Sequence, residues 1–405
     1  MTNQPSEKPK DLVVESAPHI TGDMSKARLM TYTFVALLII TVITAILWWP
    51  ISEPLPAVAA GLKLTSYWTL PLGAVVLLNA VIAVGIAVGA DALIHKVASD
   101  SQRNTASSAV FGLIVTLSYS LGIPTMAAGD VIPAESLVAP TAFLYVAIIS
   151  LLGLVVFKKL QGLAGRKFVN PAAAAKLVVL APFISSILLV KDHFAAYSTT
   201  GGIGGLSVPL LAGPIGWGTA AGNFFDVIKN NGAASFGYYL FGCYATPTNT
   251  AAYHPNDLIS LMFLDKFHGW AGGASSLAVI IVGVALFIVA RKYVKWRVTL
   301  AYFVSIAIMS IIMSTVYADQ DLLLRLIFEV FIGSSIFLGF FMATDPATTP
   351  FTNIGQIIFG IGLGVLTVLI QTYMNFFGGS ILALVIMNLT VPLIDRVGIH
   401  KPFGR

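Results

Sequence analysis

Residues Leu29–Trp49 read LMTYTFVALLIITVITAILWW, 21 residues without a single charge. At ~1.5 Å of rise per residue a helix of this length covers about 30 Å, the thickness of a bilayer's hydrocarbon core. Nine further stretches share its character: Trp68–Gly89, Ala109–Met126, Pro140–Phe157, Pro171–Val190, Trp270–Ala290, Val298–Tyr317, Leu322–Met342, Ile354–Met374 and Gly379–Ile394. Inside lipid every backbone N–H and C=O must find a partner within the protein, so these spans are expected as helices in a closed bundle. The sequence thus reads as an all-α polytopic membrane protein with about ten transmembrane helices. Its work is carrying something across, along or into a membrane.

Composition points the same way. The 405 residues are 57% hydrophobic and 10% charged, with a mean hydropathy of +0.87, whereas soluble domains carry ~25% charged residues. A net charge of +5 would suit an acidic partner such as nucleic acid. Its placement in short loops between spans argues against nucleic acid and is the signature of membrane orientation. The single cysteine, Cys243, excludes an internal disulfide and, alone, an iron–sulfur cluster or a cysteine zinc site. Met1–Ala17 is polar and lacks an apolar core, which reads as a cytosolic tail and not a signal peptide.

The basic residues orient the bundle. Of 23 Lys and Arg, 17 fall on one side, in both tails and in the loops holding Lys96, Lys158, Lys159, Lys167, Lys295 and Arg297, and four on the other (Lys63, Lys191, Lys229, Lys266). That asymmetry places both termini in the cytoplasm, and the expected location is the cytoplasmic (inner) membrane of a cell. The expected organisation is a cytosolic tail (1–28), a first five-helix half (29–190), an extracytoplasmic loop (191–269), a second half (270–396) and a closing tail (397–405). The long loop is rich in Gly, Asn and aromatics, as in Phe236-Gly237-Tyr238-Tyr239, and is either a folded cap on the bundle or a tether.

Five spans on each side of the loop make the second half enter the membrane from the opposite face, as an inverted repeat requires. The third span ends in Gly122-Ile123-Pro124-Thr125 and the eighth in Thr344-Asp345-Pro346-Ala347-Thr348, so both halves carry a proline break at an equivalent place. Such paired breaks point to a midplane site in inverted-repeat folds, although proline also follows ordinary helix ends.

Several residues carry chemical potential. Asn170-Pro171-Ala172-Ala173 is a strong helix start, and its free N–H groups suit either capping or an anionic or carbonyl ligand. Lys176 follows within two turns; its depth suits snorkelling to the cytoplasmic interface, the other reading being a role against a cofactor or another part of a complex. Arg325 and Glu329 stand four apart on one helix face, as a self-neutralising pair or as part of an ion pathway. Asp345, with the Thr344 and Thr348 hydroxyls, offers oxygen ligands for a hard monovalent cation or a polar ring edge, or else caps its own turn. Tyr244-Ala245-Thr246-Pro247-Thr248-Asn249-Thr250 sets hydroxyls beside an aromatic in the outer loop. There is no nucleophilic triad, phosphate-cradling Gly loop or HExxH zinc helix, and His19 and His254 read as solvated.

Ala17-Pro18-His19-Ile20, Asn170-Pro171-Ala172, Met342-Ala343-Thr344-Asp345-Pro346 with Thr348-Thr349-Pro350, and Ile386–Asp395 (IMNLTVPLID) are spread over nearly the whole chain. Together they resemble the D subunit of the Rnf complex and its homologue, the B subunit of the sodium-pumping NADH:quinone oxidoreductase. The Rnf D subunit is the closer match, given the short cytosolic tail. The resemblance implies a ten-helix bundle with a five-plus-five inverted repeat, akin to urea and ammonium channels. It implies FMN joined through a phosphodiester to a threonine on the outer side, and riboflavin as a second flavin in the quinone-reductase branch. It also implies partners, namely Rnf subunits of the A, B, C, E and G types and a flavin transferase for maturation. The family's flavinylated threonine sits in an Ala-Thr-Pro setting, which falls here on Ala245-Thr246-Pro247, in the loop placed outside by charge. Upstream the chain departs from the family, reading Phe241-Gly242-Cys243-Tyr244 where a Ser or Thr is usual; it also has Ser107-Ser108-Ala109 where an Asp-Gly start is common.

On this resemblance Thr246 anchors FMN, while Asn170, Pro171, Ala172, Thr344, Asp345, Thr348 and Thr349 line or cap helices near a flavin or electron path, and Glu329 or Asp345 couples ion movement. Electrons pass between partner subunits as ferredoxin or NADH oxidation drives Na+ or H+ export. The competing reading is a flavin-free solute or ion channel on the same repeat, and a third is a scaffold that positions redox neighbours.

Overall fold

The computed structural model describes residues 26–47, 49, 72–98, 105–119, 142–161, 167–180, 270–291, 293–317, 322–331, 335–373 and 379–397. The expected outer loop with Thr246, the Gly122–Thr125 break, the Ala17–Ile20 motif, Cys243 and both tail ends lie outside these residues, as does the side chain of Arg325.

Among the described residues the principal helices are α1 (Lys26–Leu47), α2 (Leu72–Ala98), α3 (Thr105–Ser118), α4 (Ala142–Leu152), α5 (Pro171–Leu180), α6 (Ser276–Val289), α7 (Trp296–Tyr317), α8 (Leu322–Phe331), α9 (Asn353–Tyr373) and α10 (Gly379–Val397). α4 runs on as a π-helix over Gly153–Leu160, and α8 is followed by a helical turn Ser335–Phe337 that continues as a π-helix over Leu338–Met342. Among the described residues there are no strands. Six stretches among the described residues are long and apolar enough to cross a membrane: Ala27–Leu47, Gly73–Val97, Phe143–Leu160, Trp296–Val316, Asn353–Ile370 and Ser380–Val397. α3 and α6 are apolar but shorter, at 14 residues each.

These sequences are helical because uninterrupted apolar runs leave the backbone no other way to satisfy its polar groups in lipid. Hydroxyls inside the spans turn back on the preceding turn: Thr41 Oγ1 donates to Leu37 O at 2.8 Å, Ser310 Oγ to Ile306 O at 2.8 Å and Thr367 Oγ1 to Leu363 O at 2.7 Å. Large apolar side chains point outward at helical spacing, among them Val35, Leu38, Ile39, Val42 and Ile46 on α1 and Ile354, Ile357, Ile358 and Ile361 on α9. In water a face of this kind would drive association; in a bilayer it is the ordinary lipid contact.

Several helix contacts of the first half have counterparts in the second. α2 packs on α3 as α7 does on α8, α2 on α4 as α7 on α9, α4 on α5 as α9 on α10, and α1 on α3 as α6 on the segment Ser335–Met342. Across the halves, α1 meets α6 and α5 meets α10, each helix against its counterpart. A five-plus-five repeat would give pairs of this kind.

Small residues set the closest approaches, as in lipid generally. On α9, a Cβ at Gly360 would lie 2.6 Å from the Val298 carbonyl oxygen, and one at Gly364 would lie 2.7 Å from that of Tyr302. Both glycines face α7, which runs parallel to α9, while Gly362 between them meets Met387 of the antiparallel α10. On α3, a Cβ at Gly112 would lie 2.7 Å from the Val84 Cα, and Thr116 Oγ1 donates to the Asn79 carbonyl of α2 at 3.1 Å.

Candidate functional site

Apart from Glu329, the described site residues gather at the end of the bundle that carries Lys158, Lys159 and Lys295, here termed the basic end. Pro171 opens α5, where its missing N–H costs nothing. Asn170 caps that helix: its Oδ1 accepts from Ala172 N at 3.1 Å and Ala173 N at 3.2 Å. Its Nδ2 donates to the Met342 carbonyl at 3.4 Å, tying the start of α5 to the end of the π-helix in the other half.

Asn388, in the middle of α10, completes the joint. In the amide orientation its neighbours require, it donates to the Thr348 carbonyl at 3.1 Å and accepts from the Asn170 N–H at 2.9 Å. α5, α10 and the turn after Met342 are thus held by two buried asparagines.

That turn is built around Asp345. Its Oδ1 accepts from Ala347 N at 3.1 Å, and its Oδ2 accepts from Thr348 Oγ1 at 3.3 Å. Its backbone carbonyl accepts from Thr349 Oγ1 at 2.6 Å. Thr344 Oγ1 donates back to Phe340 O at 2.8 Å. Lys295 clamps the turn from outside, with Nζ donating to Pro346 O at 3.1 Å, Thr349 O at 3.0 Å and Thr349 Oγ1 at 2.8 Å. Of the two readings open for Asp345, these carboxylate hydrogen bonds are those of a turn cap. Asn170, Ala172, Thr344, Asp345, Thr348 and Thr349 therefore form one polar clamp, closed upon itself. Glu329 is a separate feature, buried on α8 at 2% exposure.

A second polar layer was not among the sequence expectations. α2 continues past Gly89 to Ala98, and Asp91 on it is buried. Its Oδ1 pairs with Lys159 Nζ at 2.6 Å. The neighbouring Lys158 Nζ donates to Ser108 Oγ of α3 at 3.2 Å and stands 5.7 Å from the Phe111 ring centroid. Both lysines sit on the π-helical stretch Gly153–Leu160, where consecutive side chains point to different neighbours. No simple periodicity in the sequence signals it.

Lys176 corrects an expectation. It does not snorkel to the basic end: it is buried, and its Nζ donates to the Ser118 carbonyl at the far end of α3. The ammonium also lies 4.2 Å from the Trp270 ring centroid. The reason is depth, since α3 ends at Ser118 and both Ser118 and Lys176 are buried there. Among the described residues, no group of three or more His, Cys, Asp or Glu could hold a metal ion.

Comparison with known proteins fits this architecture. The profile of the NQR2, RnfD, RnfE family matches residues 13–404. The chain is 24% identical over 397 residues to the D subunit of the Na(+)-translocating ferredoxin:NAD(+) oxidoreductase complex of Acetobacterium woodii, covering 97% of this chain and 96% of that protein. It is 27% identical over 405 residues to the D subunit of the ion-translocating oxidoreductase complex of Marinobacter nauticus, covering 97% and 95% of the two chains. The D subunit of the ion-translocating oxidoreductase complex of Buchnera aphidicola is 31% identical over 120 residues, 30% of this chain and 34% of that one. With the family matched across nearly its whole length and the helices to span a bilayer, this chain is a multi-pass membrane protein that belongs to the NQR2, RnfD, RnfE family.

Proposed function

We propose that this protein is the D-type membrane subunit of an Rnf-type ion-translocating oxidoreductase complex, with FMN bound covalently at Thr246. The observation that carries the reading is similarity over 97% of the chain to the D subunits of such complexes. The setting Ala245-Thr246-Pro247 supplies the attachment residue.

Bound flavin would supply one- and two-electron redox chemistry; the protein's part is to position it and tune its surroundings. The charge asymmetry supports a cytoplasmic basic end with Thr246 on the opposite side. In that arrangement the clamp of Asn170, Asn388 and Asp345 serves as a joint of the bundle at the cytoplasmic end, away from the flavin. Electrons pass to and from neighbouring subunits of the A, B, C, E and G types, and a flavin transferase matures the protein. Ferredoxin or NADH oxidation is coupled to export of Na+ or H+. The ion-pathway candidates are Glu329, buried on α8, and Asp345 in its turn.

The test is in-gel flavin fluorescence of the denatured protein, co-expressed with a flavin transferase, comparing wild type with Thr246→Ala. Fluorescence lost in the variant supports the reading. A dark wild-type band removes the covalent anchor and favours a scaffold or channel.

A further inference from the structure

α3 has 14 residues, about 21 Å at ~1.5 Å each and short of a ~30 Å hydrocarbon core. It stops inside the bundle, where the carbonyls of its last turn have no helical partners. Two of the acceptors at that end are answered from elsewhere. The Tyr119 carbonyl accepts from the Ala271 N–H at 3.1 Å, and the Ser118 carbonyl accepts from Lys176 Nζ. Thr44 Oγ1 of α1 donates to the Ala271 carbonyl at 2.8 Å, locking that corner.

The surroundings of the ammonium are those of a cation seat. A carbonyl at the negative end of a helix and the face of an indole at 4.2 Å are what discontinuous helices and aromatic cages offer a desolvated monovalent cation. Among the described residues no carboxylate pairs with Lys176. Packing does not ask for a lysine either: α5 reads PAAAAKLVVL, and alanines fill its other inward positions. A buried ammonium on such a helix costs free energy unless the charge itself is used.

We infer that Lys176 is a tethered cation, filling from within the chain a monovalent-cation seat at the inner end of α3 and closing this half of the bundle to free cations. Asp91, the buried carboxylate described in the same half, is likewise held by a lysine. Ion movement is then left to the second half, where Glu329 is buried on α8. That consequence rests on the proposed function; the seat does not.

The test uses the full chain in lipid nanodiscs, without flavin, so its outcome is separable from that of the Thr246 experiment. Lys176→Ala removes the tether and leaves its seat. Ethylammonium chloride is expected to raise the variant's unfolding temperature saturably, by a few degrees, while leaving the wild type unmoved. Tetramethylammonium and sodium chlorides at equal ionic strength control for size and screening. In proteoliposomes the same variant is expected to leak methylammonium, and Lys176→Arg to remain tight. A well-folded Lys176→Ala with neither a saturable shift nor a leak overturns the inference. If Lys176→Ala does not accumulate, Lys176→Met and Lys176→Arg decide. Accumulation of the arginine variant alone shows that the position requires a cation. Accumulation of Lys176→Met at wild-type stability, or loss of both, assigns the residue to packing and overturns the inference.

Discussion

Replacing Asn388 by alanine should loosen the joint between the halves by a predictable amount. The side chain is 1% exposed and serves the Asn170 N–H and the Thr348 carbonyl. Its loss leaves two buried backbone groups without those partners. In soluble proteins each orphan costs ~1–3 kcal/mol. Interhelical hydrogen bonds in membranes average only ~0.6 kcal/mol, with a maximum of ~1.7, because the unfolded chain finds other partners in lipid. Here both groups belong to backbone outside a helix's own ladder, at a helix start and in a turn, so the upper part of the membrane range applies. The expected loss is about 2–3 kcal/mol for the two bonds together. Asn388→Leu keeps the volume and loses the same bonds, so the difference between the two variants isolates the cavity. Asn170→Ala removes the cap and the bond to Met342, at about 1–2 kcal/mol. Because both substitutions slacken one joint, the double variant should cost less than the sum by at least ~0.5 kcal/mol. Reversible unfolding in mixed SDS micelles, followed by circular dichroism, measures all four. An Asn388→Ala variant within about 0.5 kcal/mol of wild type would refute the argument that this amide joins α5 to α10.

Other substitutions test the rest of the structure. Gly360→Ala puts a methyl group 2.6 Å from a backbone oxygen of α7 and should cost about 1–3 kcal/mol, whereas a Cβ at Gly85 of α2 meets nothing within 4 Å and Gly85→Ala should be neutral or slightly stabilising; melting temperatures in detergent separate them. Lys159→Met strands the buried Asp91 carboxylate and should cost up to about 3 kcal/mol, the lysine's partial exposure softening the loss, and Asp91→Leu in the same chain should recover much of the stability; equal stability of the single and double variants would show that the pair is not coupled. Lys295→Met removes three hydrogen bonds from the Pro346–Thr349 turn, and hydrogen exchange there should rise while α9 stays protected.

The spans were legible because one property, sustained apolarity, decides them. The expected ninth span, Ile354–Met374, and the helix Asn353–Tyr373 agree to a residue at each end. The third did not resolve so well: the run through Ser120-Leu121-Gly122-Ile123 stays mildly apolar, yet the helix stops at Ser118. That end is set by tertiary partners, the Ala271 N–H and Lys176, and neither is near it in sequence. The same blindness affected Lys176 itself. Counting residues from Pro171 gives its distance along α5, but not the level at which α3 ends. Asp91 was hidden because the apolar run of the second span closes at Gly89 while the helix continues, and the π-helix that aims Lys158 and Lys159 leaves no periodic trace. Asn170 was readable as a cap from its place before Pro171, because capping is local. Asn388 stood in a recognisable motif, but its bonds run to residues 40 and 218 positions away, Thr348 and Asn170.

These contacts constrain how such a protein can move. The halves are joined at the basic end by Asn170 and Asn388, and at the inner end of α3 by Tyr119, Ala271 and Thr44. Two buried joints at different depths resist the rocking of one repeat against the other that drives alternating access. Ion passage in the proposed complex therefore calls for local change rather than wholesale rotation. The π-helix Leu338–Met342 is the suitable element. It lies between Thr299, whose Oγ1 donates to Gly339 O at 2.7 Å, and the Asn170 bond at Met342, in the half that carries Glu329. A π-turn can revert to α geometry by passing its extra residue along the helix. Such a shift would move Gly339 and Met342 relative to both anchors while leaving Asn388 in place. Cross-linking α5 to α10 should then spare turnover of the complex, and cross-linking Gly339 to α7 should stop it.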